Sequence, residues 1–481
     1  MCPLGIELAA ARVRALPVED IAARLDDRFR LLTDGGRTAL PRHQTLRSLI
    51  DWSHGLLTHQ EQILLHRLSV FAGGWTLPAA EEVCSDAGVE SAEILDLLTH
   101  LVDKSLVSLD HAGPVSHYRM LETIREYGWE KLTGSGEVEA LRDRHLNYIV
   151  GFVQEAESQY HAVDEAVWCD RLEQEIANLR TALEWGSSLD SPGTLLSLSS
   201  GLAWFWWVRG HILEAITWLT RALARPAADK PMAERSKALT ALGWLRGAFG
   251  EYDGSQVLFK ESVMISRKLD DRRALAETLS TWCQWIVFYS PNAASPILEE
   301  ALEISREVGY KLGTARSLIG RGQLQSYEGD DEAAQETYDQ CATLFRELGE
   351  KDLLAYVVRR LGHIALRKRD FQIASALFAD SLRLNAELKN PHGIAACFTA
   401  FGSVAAQQGN AVRAAQLYGA AAVVLESYGG KLVPVDEIEN EPHRLVSHAA
   451  LNEKGYERAA SEGRSMGLRE AIAFALGNSY A

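Results

Sequence analysis

The 481-residue chain carries 49 Lys and Arg against 65 Asp and Glu, a formal net charge of −16, with 47% hydrophobic and 24% charged residues. That balance fits a globular protein of two to four domains and argues against a broad nucleic-acid surface, which needs dense cations to displace counterions. No run approaches eighteen apolar residues, so no membrane span is expected, and six singly spaced cysteines without a CxxC point to reduced thiols in a cytoplasmic protein with no metal site.

In chain order, residues 1–16 (MCPLGIELAAARVRAL) place Ile6, Leu8, Ala9, Val13 and Leu16 at helical spacing, with Glu7, Arg12 and Arg14 on the polar side. No basic leader precedes an apolar block there, so no signal peptide is expected. Helical patterns follow at THQEQILLHRLSVF (58–71), AEILDLLTHLVDKS (92–105) and LETIREYGWEKL (121–132). Between the last two, SLVSLDHAGPVSHYRML (105–121) holds two β-type runs, Leu106–Leu109 and His117–Met120, about a Gly-Pro turn. Three helices with this hairpin predict a winged helix. Its expected recognition helix, 92–103, carries Glu93, Asp96 and Asp103 and no Arg or Lys, which argues against direct DNA contact.

Beyond residue 190 a repeat can be counted. Gly210, Gly250, Ser290, Gly329, Arg369 and Gly409 are separated by 40, 40, 39, 40 and 40 residues. Seven residues before these anchors stand Ala203, Gly243, Cys283, Gly322, Gly362 and Gly402; five after stand Ala215, Ser255, Ser295, Ala334, Ala374 and Ala414. A third small position falls at Ala222, Ser262, Cys341, Ser381 and Ala421. Small residues on both helices of a hairpin let the axes approach while larger apolar groups fill the space between hairpins. The offsets resemble those of tetratricopeptide repeats in a long variant of about 40 residues. The tail, NEPHRLVSHAALNEKGYERAASEGRSMGLREAIAFAL, predicts two or three further helices that cap the array.

Several separate stretches carry a wider resemblance: PLGIELAAARVRAL, ARLDDRFRLLTDGGRTALPRHQTLRSLIDWSHGLL (23–57), LSVFAGGWTL (68–77), HYRMLETIREY (117–127) and WCDRLEQEIANLRTALEW (168–185). In this order they resemble the bacterial branch of STAND-class regulatory ATPases of the NB-ARC type. The resemblance implies a P-loop domain, a small helical domain, a winged helix, linking helices and repeats. It makes Pro3 the counterpart of a proline that contacts adenine. It also makes Met120, Leu121 and Glu122 the counterpart of a Met-His-Asp nucleotide sensor, although Leu121 cannot hydrogen-bond a phosphate. No GxxxxGK[ST] occurs in the chain, so ATP hydrolysis is not expected of it. Its start within a family motif leaves three readings, a truncated gene, a mis-called start site or a genuine standalone back half, with the first two favoured.

In the repeats, Trp204, Trp244, Gln284, Gln323, His363 and Ser403 share one register position, which in tetratricopeptide proteins lines the concave groove. Trp207 and Phe288 fall on neighbouring groove positions. Arg359, His363 and Arg367 recur every four residues as a basic stripe suited to a carboxylate or phosphate on a partner. The competing readings are core packing for the tryptophans and a solvated face for the stripe. No HExxH or His–nucleophile arrangement points to an enzyme.

The expected fold is therefore mainly all-α, a winged helix with a small β-hairpin followed by an α-solenoid of tetratricopeptide-like repeats. The expected boundaries are a helical remnant at 1–47, winged helix at 48–132, linking helices at 133–192, six repeats at 193–428 and capping helices at 429–481. The expected function is the sensor and relay half of a STAND-type transcriptional regulator, with a protein or small-molecule effector in the repeat groove. A separate nucleotide-binding domain is an implied partner; no cofactor, no nucleic acid bound by this part, no membrane, and a monomer or weak dimer are expected. The alternative is a standalone tetratricopeptide interaction scaffold.

Overall fold

The computed structural model describes residues 46–86, 88–110, 116–160, 164–225 and 231–477, so Pro3 and the amphipathic N-terminal stretch lie outside the described residues. The chain divides into two compact units. The first comprises described residues up to Phe152 with Gln174–Trp185, the second Val153–Glu173 with Gly186 onward.

In the first unit, helices α1 (Leu46–Gly55) and α2 (His59–Leu68) precede strand β1 (Trp75–Thr76) and helix α3 (Leu77–Cys84). A 3-10 turn leads into α4 (Ile94–Asp103), then β2 (Val107–Asp110), β3 (His117–Met120) and α5 (Glu122–Ser135). The strands form one antiparallel sheet in the order β1-β3-β2, with Trp75 opposite Tyr118 and Val107 opposite Met120. Thr58 caps α2 in a reciprocal box with Glu61. The Glu61 carboxylate, almost fully buried, also accepts from Lys104 Nζ at 2.6 Å. Ile94, Leu97, Leu98 and Leu101 turn one stripe of α4 into the core beside Leu64, Leu68, Phe71 and Trp75.

The structure adds one helix that the sequence reading did not have, α3, ahead of the hairpin; the 121–132 pattern is α5 and follows the hairpin as expected. A two-residue strand and an eight-residue helix are too short for periodicity to register. The local signals were chemical: Thr76 caps α3 by accepting from the Ala79 amide, and Pro78 occupies its first turn.

Three of the motifs that carried the resemblance meet at one buried joint. Asn178 accepts from the Ala72 amide at 2.7 Å and donates to the Gly74 carbonyl at 2.8 Å and Glu175 Oε2 at 2.6 Å. Glu175 Oε1 in turn lies 3.0 Å from His117 Nε2 on β3. Helix α8 (Ile176–Ser188), which holds Asn178, is thereby keyed to the segment leading into β1 and, through Glu175 just ahead of it, to β3.

The second unit contains α7 (Glu165–Gln174), the end of α6 (Val138–Gln159) and α9 (Pro192–Gly201). Six hairpins follow: α10/α11 (Ala203–Arg209, Ile212–Leu223), α12/α13 (Ala233–Ala248, Tyr252–Lys268) and α14/α15 (Arg272–Tyr289, Pro291–Glu307). The remaining three are α16/α17 (Lys311–Tyr327, Asp331–Leu348), α18/α19 (Lys351–Arg367, Phe371–Leu388) and α20/α21 (Pro391–Gln407, Ala411–Ser427). Helices α22 (Pro434–Arg464), kinked where Asn452 leaves helical geometry at φ 54°, and α23 (Leu468–Leu476) close the described chain.

The counted anchors are the turns inside these hairpins. Gly210, Gly250, Gly329, Arg369 and Gly409 all adopt positive φ, between 61° and 84°, the left-handed C-cap that ends a helix and reverses the chain. Asp270, Gly309, Gly349, Lys389 and Gly429 repeat that geometry at the turns between hairpins. At Gly210 a side chain is excluded twice, because a Cβ would also lie 2.8 Å from Pro391.

Ser290 departs from the pattern. α14 ends there and α15 starts at Pro291, one residue sooner than in the other hairpins. The small position is accordingly shifted: Ala294 is buried and Ser295 is exposed, so Ser295 was the wrong residue. The same shift puts the buried Ala301 at the third small position, where counting had found none.

The small residues work as close-approach points. A Cβ on Gly322 or Gly362 would lie 2.6 or 2.5 Å from the ring of Tyr338 or Phe378 on the second helix of its own hairpin. Gly243 with Phe259 and Gly402 with Tyr418 repeat this pairing. The third small position bonds back to the first helix: Ser262 Oγ to the Ser236 carbonyl at 2.8 Å, and Ser381 Oγ to the Ala355 carbonyl at 2.7 Å.

Candidate functional site: the repeat groove

The first helices of the hairpins, α10, α12, α14, α16 and α18, together with the end of α6, enclose a cavity of about 260 Å³ in the second unit. Its wall is aromatic. Trp204 and Trp244 stack with ring centroids 5.6 Å apart at 18°, and Trp207 lies 5.2 Å from Trp244. Charged groups ring it: Lys237 pairs with Glu157, and the Arg273 guanidinium sits 3.2 Å over the Tyr310 ring. Gln284, Glu277 and Arg316 complete the polar lining.

Trp204 is held in place by Glu165 of α7, whose Oε1 accepts its indole proton at 3.0 Å. Glu165 Oε2 accepts from the Lys351 amide at 3.1 Å, so α7 is tied to the start of α18. Nearby, Lys389 and Arg209 both bind Asp170 Oδ1, at 2.7 and 2.5 Å, and His392 packs 4.8 Å from Trp207. The first hairpin thus meets the fifth and sixth across the groove. Three carboxyl groups share this junction. Burial, with Glu350 and Asp352 close by, pushes the Glu165 carboxyl well above its ordinary range. Burial and then Glu350 raise Asp352 to about 7, against the hydrogen bonds it accepts from Asn390 and Trp207.

A smaller recess of about 40 Å³ shares Trp244, Gln284 and Leu353 with the cavity and extends inward past Trp207, Trp285, Gln323, Asp352 and His392. Trp285, Gln323 and His392 are each at least nine-tenths buried. Gln323 Nε2 donates to Tyr356 Oη at 2.8 Å. Trp285 Nε1, Gln323 Oε1 and His392 Nε2 have no hydrogen-bond partner among the described residues. Burial lowers His392 to about 4, so its imidazole is neutral near pH 7.

The far half of the groove is filled by the chain itself. Helix α22, expected only to cap the array, brings Asp436 to Arg359, with Oδ2 at 2.8 Å from Nη2, and to Arg360. Its Glu439 pairs with Arg367 at 2.7 Å, and Asn440 Oδ1 accepts from Ser403 Oγ at 2.7 Å. Asp436 is fully buried, and the two guanidiniums beside it hold its carboxyl far below the usual range in spite of that burial. Gly419 and Gly463 allow α21 and α22 to touch at backbone distance.

The residues singled out from sequence therefore divide. Trp204, Trp244 and Gln284 line the cavity; Trp207, Trp244, Gln284 and Gln323 line the recess. Phe288 is half-buried against Tyr252 at the hairpin turn and lines neither. The stripe of Arg359, His363 and Arg367 does face inward, but its carboxylates come from this chain, Asp436, Asp331 and Glu439. His363 adds no charge: burial beside Arg360 drives its pKa well below the usual value. Met120 ends β3, Leu121 is exposed at the head of α5, and Glu122 pairs with Arg125 at 2.6 Å. Sequence reasoning missed Glu165, Trp285, Asp352 and His392, which come from four separate helices with no common spacing.

Among the described residues no three His, Cys, Asp or Glu gather as metal ligands, and no helix is long and apolar enough to cross a membrane. The five described cysteines are buried, and burial pushes the thiols of Cys84 and Cys169 up to about 12, which suppresses the nucleophilic thiolate.

Family models match at two places, a winged helix-turn-helix domain at residues 57–133 and a tetratricopeptide repeat at 291–347. A Mycobacterium bovis protein named among HTH-type transcriptional regulators is 35% identical over 366 residues, 73% of this chain and 40% of that protein; Mycobacterium tuberculosis counterparts match equally. The chain thus spans less than half the length of these relatives. A Pyrococcus horikoshii STAND protein with a tetratricopeptide repeat sensor superposes with a TM-score of 0.47 at 14% identity, covering 95% of this chain and 74% of its own. The chain is a winged helix-turn-helix domain joined to an array of tetratricopeptide repeats.

Proposed function

We propose that this chain is the receptor and relay portion of a transcriptional regulator, binding a small-molecule or peptide effector in the repeat groove. The observation that carries the reading is the cavity at Trp204 and Trp244: a concave, mainly apolar site with a few placed polar groups, in the half of the groove that α22 leaves open. The relatives' names supply the regulatory context. The relay role is assigned to the winged helix, keyed through Asn178, Glu175 and His117. Its α4 bears Asp96 and Asp103 on the side away from the core and no Arg or Lys, a poor surface for DNA.

On this reading the chain does not itself hydrolyse ATP, because it offers neither a phosphate-cradling loop nor its lysine. Purified chain with Mg-ATP is expected to release phosphate no faster than buffer. Turnover that tracks the protein through successive purification steps would refute this.

A further inference from the structure

We propose that the recess behind Trp244 is the polar subsite of the effector, and that it takes a neutral head group able both to donate and to accept a hydrogen bond: a hydroxyl or a primary carboxamide. The inference rests on the cavity being the effector site and specifies which chemistry enters it first. Trp285 Nε1–H can only donate. Gln323 Oε1 can only accept, and the amide nitrogen of that side chain donates to Tyr356. Both belong to side chains 5% exposed, and neither has a partner among the described residues. Both side chains border the recess, and an unanswered buried donor or acceptor is costly, so a ligand group able to answer either kind is favoured there.

Charge selects further. An ionised carboxylate would meet the Gln323 oxygen and the Asp352 carboxyl. An ammonium would meet the indole N–H and the Arg359 guanidinium that shares the lining. Arg359 offers an incoming anion little, because its Nε and Nη2 are committed to Asp436. Size selects as well: at about 40 Å³ against about 260 Å³ for the cavity, the recess suits the small end of a ligand. Trp244, Gln284 and Leu353 border both spaces, so one ligand can place its head in the recess and its body against Trp204.

The test uses ¹⁵N-indole spectra of the full chain, with the Trp204, Trp244 and Trp285 signals assigned through single Trp→Phe variants. The probes are acetamide and ethanol, their charged counterparts acetate and methylammonium, and phenylacetamide for the outer cavity. Acetamide and ethanol are expected to move the Trp285 signal saturably, at least about tenfold more tightly than either ion. Gln323→Met is expected to weaken acetamide by a similar factor, a readout independent of whether Trp285→Phe folds. Equal response to acetate, or a Trp285 signal that stays still, would overturn the subsite. If phenylacetamide moves Trp204 and Trp244 while Trp285 stays still, the subsite falls and the cavity reading stands; silence at all three counts against both.

Discussion

Asp436→Ala is expected to lower the stability of the second unit by about 3–5 kcal/mol, the range for breaking a buried ion pair from one side. Asp436 is fully buried and serves two guanidiniums, Arg359 through Nε at 3.2 Å and Nη2 at 2.8 Å, and Arg360. Both arginines are themselves nearly inaccessible, at 2% and 3%. Alanine would leave two desolvated cations facing each other with no carboxylate between them. The contrast with an all-apolar replacement is informative. Asp436→Leu combined with Arg359→Met and Arg360→Met is expected to recover most of the loss, since such triads gain little over well-packed hydrocarbon. Urea unfolding read by α22-specific hydrogen exchange measures both. A loss below about 1 kcal/mol for Asp436→Ala, the level of an exposed pair, would mean that α22 does not occupy the groove in solution.

The second large effect is a pH dependence with the opposite sign to ordinary acid denaturation. Asp352 is raised to about 7 by burial and by Glu350, with Asn390, Trp207 and Arg359 pulling the other way. Unfolded, an aspartate ionises near 3.9. Between those values the folded state holds a proton that the unfolded state has released, so stability falls as pH rises. The contribution is fully present below the unfolded value and lost as pH climbs through about 7. Glu165 shifts in the same direction. Buried neutral histidines oppose the trend: His363 and His392 have lowered pKa values, and their unfolded forms take up protons below about 6.5. A difference measurement removes them. The stability of wild type minus that of Asp352→Asn is expected to drop by up to about 4 kcal/mol between pH 4 and pH 8. A flat or rising difference would remove Asp352 from the junction's proton balance.

How much of this was legible beforehand follows from the range of the interactions involved. The repeat was countable because a left-handed turn strongly favours glycine and a close helix approach favours a small residue, and both are local demands. The same logic explains the slip at Ser295. Counting assumes a constant turn, and the α14–α15 connection is one residue short. The groove position was legible from register, so Trp204, Trp244, Gln284 and Gln323 came out together. What could not be read was what covers them. Arg359 finds its counter-charge 77 residues away in Asp436, and no spacing rule predicts a helix folding back into its own array. The recess is likewise assembled from Trp285, Gln323 and His392 on three helices, and its defining property, polar atoms left open inside, exists only once the chain is packed.

The open half of the groove, walled by Trp204 and Trp244, is the expected place for a ligand. A crystallographic fragment screen on the whole chain, using small amides, alcohols and carboxylates, tests it most directly. Bound fragments are expected to concentrate between Trp204, Trp244 and Trp285, with α22 still seated on Arg359. Fragments gathering elsewhere on the molecule while that cavity takes none, at concentrations that fill other pockets, would contradict it.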